Sequence, residues 1–124
     1  MVERTERGWA GHFICANACR FRRNTLLKKG KTKIVVSTVG LMESPIGENE
    51  FTIVGVDRYY ETMAFFAKSN DKFCDADVGR EIEFESSWYL SELDAEIEAN
   101  EMHEQVVYEL TQKLEKGIIK EIRR

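Results

Sequence analysis

Residues 81–116 read EIEFESSWYLSELDAEIEANEMHEQVVYELTQKLEK, and two different periods meet inside them. From 81 to 88, Ile82, Phe84, Ser86 and Trp88 alternate with Glu81, Glu83, Glu85 and Ser87. That is the two-residue repeat of a strand with one face on the core and one in water. Such a strand belongs near a sheet edge, where the glutamates also discourage stray pairing. From Asn100 to Lys116 the repeat lengthens. His103, Val106, Val107, Leu110 and Leu114 form one stripe, opposite Glu101, Glu104, Gln105, Glu109, Gln112 and Lys113. Asn100 is the candidate N-cap, Glu101 suits the positive end of the helix dipole, and Gly117 suits a left-handed stop. A half-buried strand giving way to an amphipathic helix points to an α+β domain.

Upstream, the strand signals continue. Gly8–Ile14 alternates, with Trp9, Gly11 and Phe13 on one face. Phe21–Leu27 runs into Lys28-Lys29-Gly30-Lys31, a hairpin turn with glycine for the positive φ, and Lys33–Val39 is its partner. Ile34-Val35-Val36 is β-branched throughout, which predicts burial on both faces. Met42–Asn49, with Pro45 and Gly47, is a loop, and Phe51–Val56 a short strand. Tyr59–Lys68 is apolar on both faces and belongs centrally in the sheet. Residues 1–7 are polar and expected to fray. The fold expected is one antiparallel sheet of five to six strands with one C-terminal helix packed on it, a single domain over 1–124. Ile118, Ile119 and Ile122 form an apolar tail for this chain or a partner.

Composition sets the class. A chain of 124 residues with 43% hydrophobic and 32% charged residues can build one hydrophobic core. No apolar run approaches membrane-spanning length and the N-terminus lacks a signal-peptide core, so a cytoplasmic protein is expected. Three cysteines, an odd number, agree with a reducing compartment. Residues 1–33 hold nine basic side chains against two acidic, leaving nine against twenty for the remainder. The basic end is a candidate anion site, whereas the acidic whole is a poor binder of duplex nucleic acid.

Chemistry-bearing residues concentrate at 7–27, RGWAGHFICANACRFRRNTLL. Arg20, Arg22 and Arg23 carry forked donors that fit phosphate, and Trp9, Phe13 and Phe21 carry faces on which a base can stack. The other reading is a strand whose arginines sit in water. His12, Cys15 and Cys19 give a zinc-compatible ligand set, completed by Cys74 or His103, but without a C-x2-C pair buried thiols are the stronger reading. A cysteine nucleophile beside Arg20 and His12 lacks an orienting third group. Phe84 and Trp88 sit on the apolar face of their strand, where core packing competes with base stacking. Asn100 could read a base edge as well as cap the helix. Arg58 must pair with an acid or await an anionic ligand. No phosphate loop or dinucleotide glycine pattern is present.

Taken in order, the segments RGWAGHFICANACRFRRNTLL (7–27), IVVSTVG (34–40), RYYETMAFFAK (58–68), DADV (75–78), FESSW (84–88) and ANEMHE (99–104) resemble the phage-encoded Thoeris anti-defence proteins of the first type. The likeness runs from about Arg7 to Lys116. It implies a non-catalytic, cofactor-free sponge. Such proteins bind cyclic ADP-ribose isomers made by TIR enzymes and keep them intact. Some also take up cyclic oligonucleotides at a second site, and they assemble as dimers or hexamers with pockets close to subunit interfaces. Carried onto this chain, the resemblance implies Phe84 as a stacking platform, Asn100 as a polar ligand contact and Arg58 as an anion contact of the second site. His12, Arg22, Arg23 and Trp88 join the candidate set on their chemistry alone. Two other classes stay open: a small hydrolase of cyclic nucleotides or ADP-ribose derivatives using His12 or His103, and an inhibitor that binds a host defence enzyme through the acidic 75–110 region.

Overall fold

The computed structural model describes residues 1–7, 18–44, 51–54, 58–68 and 74–122. Its elements are β1 (Glu3–Arg7), β2 (Cys19–Lys29), β3 (Thr32–Glu43), β4 (Phe51–Thr52), β5 (Tyr60–Ala67), β6 (Ala76–Glu81) and α1 (Glu96–Lys116). The strands form one antiparallel sheet in the order β1-β2-β3-β5-β6, with β4 pairing the far end of β3. Among the described residues a single helix lies across it, so the architecture is the α+β arrangement expected. The expected strand at Gly8–Ile14 lies outside the described residues.

The hairpin between β2 and β3 turns where the glycine allows it. Lys29 pairs with Thr32, and Gly30, the first of the two loop residues, has φ +60°. That is the position where a tight primed turn needs glycine. From Ile34 to Leu41 every residue of β3 is buried, so the β-branched run is covered on both faces as expected. β5 sits between β3 and β6, an interior strand.

The helix lays Met102, His103, Val106, Val107, Leu110 and Leu114 on the sheet. Its lower half meets Leu27, Ile34, Val36, Ala64 and Ile82. Each fully buried aliphatic side chain here contributes about 1.5–3 kcal/mol over leaving it in water. Gly117 ends the helix at φ +69°, and the following N–H, from Ile118, donates to Lys113 O at 2.9 Å.

Three local expectations differ from the structure. Residues 3–7 do not stand as a frayed end; they pair along their whole length with β2, from Glu3↔Lys28 to Arg7↔Asn24. The helix begins at Glu96 with Ala95 in the N-cap position, so Asn100 lies inside it, exposed, and caps nothing. The earlier start lets Ala95 and Ala99 pack beneath Tyr60 and Leu90. The strand expected over 81–88 ends at Glu81, and 76–81 forms β6 instead. For the apolar tail, expected on this chain or on a partner, the structure shows its own chain: Glu83 N donates to Lys120 O and Ile122 N to Glu81 O, covering the edge of β6.

Candidate functional site

Beyond β6 the chain leaves the sheet and builds a roof over the edge of β5. Ile82 N donates to Ala64 O at 2.8 Å, and the chain rejoins where Tyr59 N donates to Leu90 O at 2.8 Å. Residues 83–89 arch between those anchors without a strand partner among the described residues. The Glu83 amide is met by Lys120 O of the C-terminal segment, and the amides of Glu85 and Ser86 are met by the helix. The Glu109 carboxylate accepts from Glu85 N at 3.0 and 3.1 Å, from Ser86 N at 2.8 Å, and from the Ser86 hydroxyl. Lys113 Nζ donates to the same carboxylate at 2.6 Å. Burial opposes the charge on Glu109, but the hydrogen bonds from Lys113, Ser86 and the Glu85 amide outweigh it and hold the carboxyl below its ordinary value of 4.5. Trp88 N donates to Met102 Sδ at 3.3 Å, a second tie to the helix.

Beneath the arch is a cavity of about 320 Å³, within the usual size of small-ligand pockets. Arg58, Glu61 and Thr62 line it from the β5 side, and Glu81, Glu83 and Phe84 from the arch side. The Arg58 guanidinium lies 4.3 Å over the Tyr89 ring, with Nη1 3.6 Å from Glu61 Oε2. Its Nε is buried without a hydrogen-bond partner. Three carboxylates against one guanidinium make this a cavity rich in acceptors.

Of the residues singled out from the sequence, Phe84 and Arg58 meet here. The others do not join them. Trp88 is 37% exposed and outside the cavity lining, because the arch lifts its side chain off the core. Asn100 is exposed on the helix and Arg22 exposed on β2. His12 lies outside the described residues. Arg23 is engaged elsewhere: its Nη2 lies 2.5 Å from Glu6 and its Nη1 3.2 Å from Glu104.

That second cluster covers a buried polar core. Arg4 binds both Glu104 oxygens, at 2.5 and 3.0 Å, and Glu6 at 2.7 Å. Glu104 is held below its ordinary value chiefly by the Arg4 hydrogen bond. Burial pushes against the Glu6 charge, yet donors from Arg4, Thr25 and Arg23 bring it below 4.5 as well. Beneath lies His103, 0% exposed, with Nε2 2.7 Å from Thr25 Oγ1 and Nδ1 2.7 Å from Thr38 Oγ1. Burial, reinforced by the Arg23 charge, lowers its pKa to about 4, so the ring is neutral at pH 7.

Neutrality fixes the direction of every bond. Thr25 gives its one hydroxyl proton to Glu6, at 2.8 Å, so it must accept from His103 Nε2–H. His103 Nδ1 is then an acceptor, and Thr38 donates to it. Thr62, 2.6 Å from Thr38, therefore donates to Thr38. A one-way chain runs from Thr62 to Glu6 through the centre of the fold.

Glu6, His103 and Glu104 bring three ligand atoms within 4.8 Å. Both carboxylates are neutralised by Arg4 and Arg23, and both ring nitrogens are bonded to threonines. The arrangement fits ion pairing rather than a metal. Of the earlier thiol set, Cys19 and Cys74 are buried, the expected place for unreactive cysteines. Sequence reasoning did not find Glu61, Thr62 or Glu109. Glu109 was placed on the helix side opposite the apolar stripe, so nothing in the sequence marked it in advance.

Compared with protein-family models, curated proteins and solved structures, the chain matches none. Among the described residues no helix is long and apolar enough to cross a membrane.

Proposed function

We propose that this protein binds a nucleotide signal of the cyclic ADP-ribose class in the cavity under the arch and holds it unaltered. It thereby starves a TIR-dependent defence, as the Thoeris anti-defence sponges it resembles do, and works as a homo-oligomer in the host cytoplasm. One observation carries this reading. Arg58 and Phe84, distant in sequence and both implied by the resemblance, line one cavity of nucleoside size. Phe84 offers a stacking face and Arg58 a charge with an unmatched donor. Glu61, Glu81 and Glu83 are acceptors suited to ribose hydroxyls. In this reading the acidic side chains face sugar and base, and Arg58 is the cation that meets the pyrophosphate.

The test is retention. Protein incubated with a cyclic ADP-ribose isomer and then heat-denatured should release the ligand with its mass and retention time unchanged. Release of linear ADP-ribose, or no ligand carried through desalting, refutes the proposal. Phe84→Ala should weaken binding about five- to hundredfold, the worth of one stacked base. Far-UV circular dichroism identifies a variant that has simply unfolded.

A further inference from the structure

The arch leaves one stretch of β5 with no strand beside it. Between Ile82, bonded to Ala64, and Leu90, bridged to Tyr60, no described residue pairs with Thr62 on that side. Two independent facts give the direction of the Thr62 peptide. Alternate peptides of a strand face the same side, and Ala64 turns its carbonyl to Ile82, away from β3. The β3–β5 register is unbroken from Ile34↔Phe66 to Gly40↔Tyr60, so Thr62 turns the same way. Side chains also approach most closely across non-hydrogen-bonded antiparallel pairs, and the Thr38 and Thr62 hydroxyls are 2.6 Å apart. The N–H and C=O of Thr62 thus open toward the cavity that this residue lines. Its hydroxyl proton is committed to Thr38 and adds no donor there. Arg58 Nε, buried and unpartnered, is a second unmatched group in the same lining.

We infer that the open edge of β5 at Thr62 reads the edge of a purine base. The Thr62 carbonyl accepts from an exocyclic amine, the Thr62 N–H donates to the adjacent ring nitrogen, and Phe84 covers the face of the base. Arg58 Nε–H takes a further acceptor of the nucleotide. An extended peptide is the usual occupant of an open strand edge. Here the arch closes that edge at Ile82 and Leu90 and is fixed to the helix by Glu109, so the open stretch is shorter than a strand would need. The inference rests on the cavity being a nucleotide site, and names the group within it that selects the base.

Nitrogen-15-labelled protein is titrated with adenosine 5′-monophosphate, with purine riboside 5′-monophosphate, which lacks the amine, and with ribose 5-phosphate. The adenosine nucleotide should move the Thr62 amide and Arg58 Nε–Hε resonances, and bind about tenfold more tightly than the amine-free analogue. Ribose 5-phosphate should leave the Thr62 amide in place. Slow exchange of that amide in ligand-free protein overturns the inference, because it would already be bonded. So does adenosine nucleotide binding without a Thr62 shift, or no binding at millimolar concentration. Retention of the cyclic ligand with Thr62 unmoved removes the base-reading position and leaves sequestration standing. A Thr62 shift with adenosine nucleotide but no retention of the cyclic ligand does the opposite.

Discussion

Acidification should weaken this fold from about pH 6.5 downward, and His103 is the cause. The ring is fully buried and neutral, with Arg4, Glu6, Arg23 and Glu104 as the charged neighbours acting on it. In the unfolded chain it regains its ordinary value of 6.5, against about 4 in the fold. Below 6.5 the unfolded state therefore binds the extra proton, and stability falls with falling pH until the folded pKa is reached. At 1.36 kcal/mol per pKa unit the full loss is about 3 kcal/mol, of which about 2 kcal/mol is gone by pH 5. Glu6, Glu104 and Glu109, all held below 4.5, begin to contribute their own losses only under that value. The window from pH 8 to 5 belongs to histidine.

The chain has two histidines, so the measurement is made in a His12→Gln background. Urea unfolding is followed at intervals from pH 8 to 5, and His103→Gln in the same background should flatten the slope. Nitrogen-15 spectra of the ring should show the Nε2–H tautomer, as the hydrogen-bond chain from Thr62 to Glu6 requires. An unchanged slope in His103→Gln, or a His103 ring that titrates near 6.5 in the folded protein, would refute the assignment of a neutral, one-way chain.

Other substitutions probe the arch and the sheet. Glu109→Ala removes the acceptor of the Glu85 and Ser86 amides and should cost about 2–3 kcal/mol, roughly one charge-assisted hydrogen bond after allowing for solvent. Hydrogen exchange should localise the loss to those two amides, and unchanged protection would mean that Glu109 does not hold the arch. Thr38→Val strands His103 Nδ1 and the Thr62 hydroxyl in the core and should destabilise by about 1–3 kcal/mol in thermal melts. Gly40→Ala drives a methyl into the buried Tyr60 ring and within 2.9 Å of Tyr59 O. A loss of about 1–3 kcal/mol is expected from the overpacking, and a melting temperature equal to the parent's would show that the ring can move aside.

The helix was legible because a stripe of five apolar or buried positions leaves one orientation on the sheet. The hairpin was legible because Gly30 stands where the turn needs it. β1 was not, since ERTER has no apolar residue. Its helix-side residues, Arg4 and Glu6, are exposed and make sense only once Arg23 and Glu104 stand opposite. Asn100 looked like a cap because capping residues are read locally. The burial of Ala95 and Ala99 against Tyr60 and Leu90 comes from tertiary structure and carried the helix back to Glu96. Arg22 and Arg23 looked equivalent in sequence. Strand alternation put one toward solvent and the other into the ion-pair cluster.

The stretch 81–88 shows why the site itself was hidden. The alternation is real in part: Ile82 is buried, Phe84 and Ser86 are half-buried, and the glutamates between them are exposed. A period of two reports which side chains face the core. It does not report what satisfies the backbone, and here a carboxylate from the helix takes the amides that a neighbouring strand would otherwise have bonded. Had 81–88 continued as a strand, β5 would be paired along its length and Thr62 would have no free peptide. The departure from the sheet at Ile82 and the opening of the cavity are therefore one structural event, with Glu109 as the group that makes it possible. Local rules fail most often at functional or strained sites, and this failure coincides with the place where Arg58, Thr62 and Phe84 line one cavity.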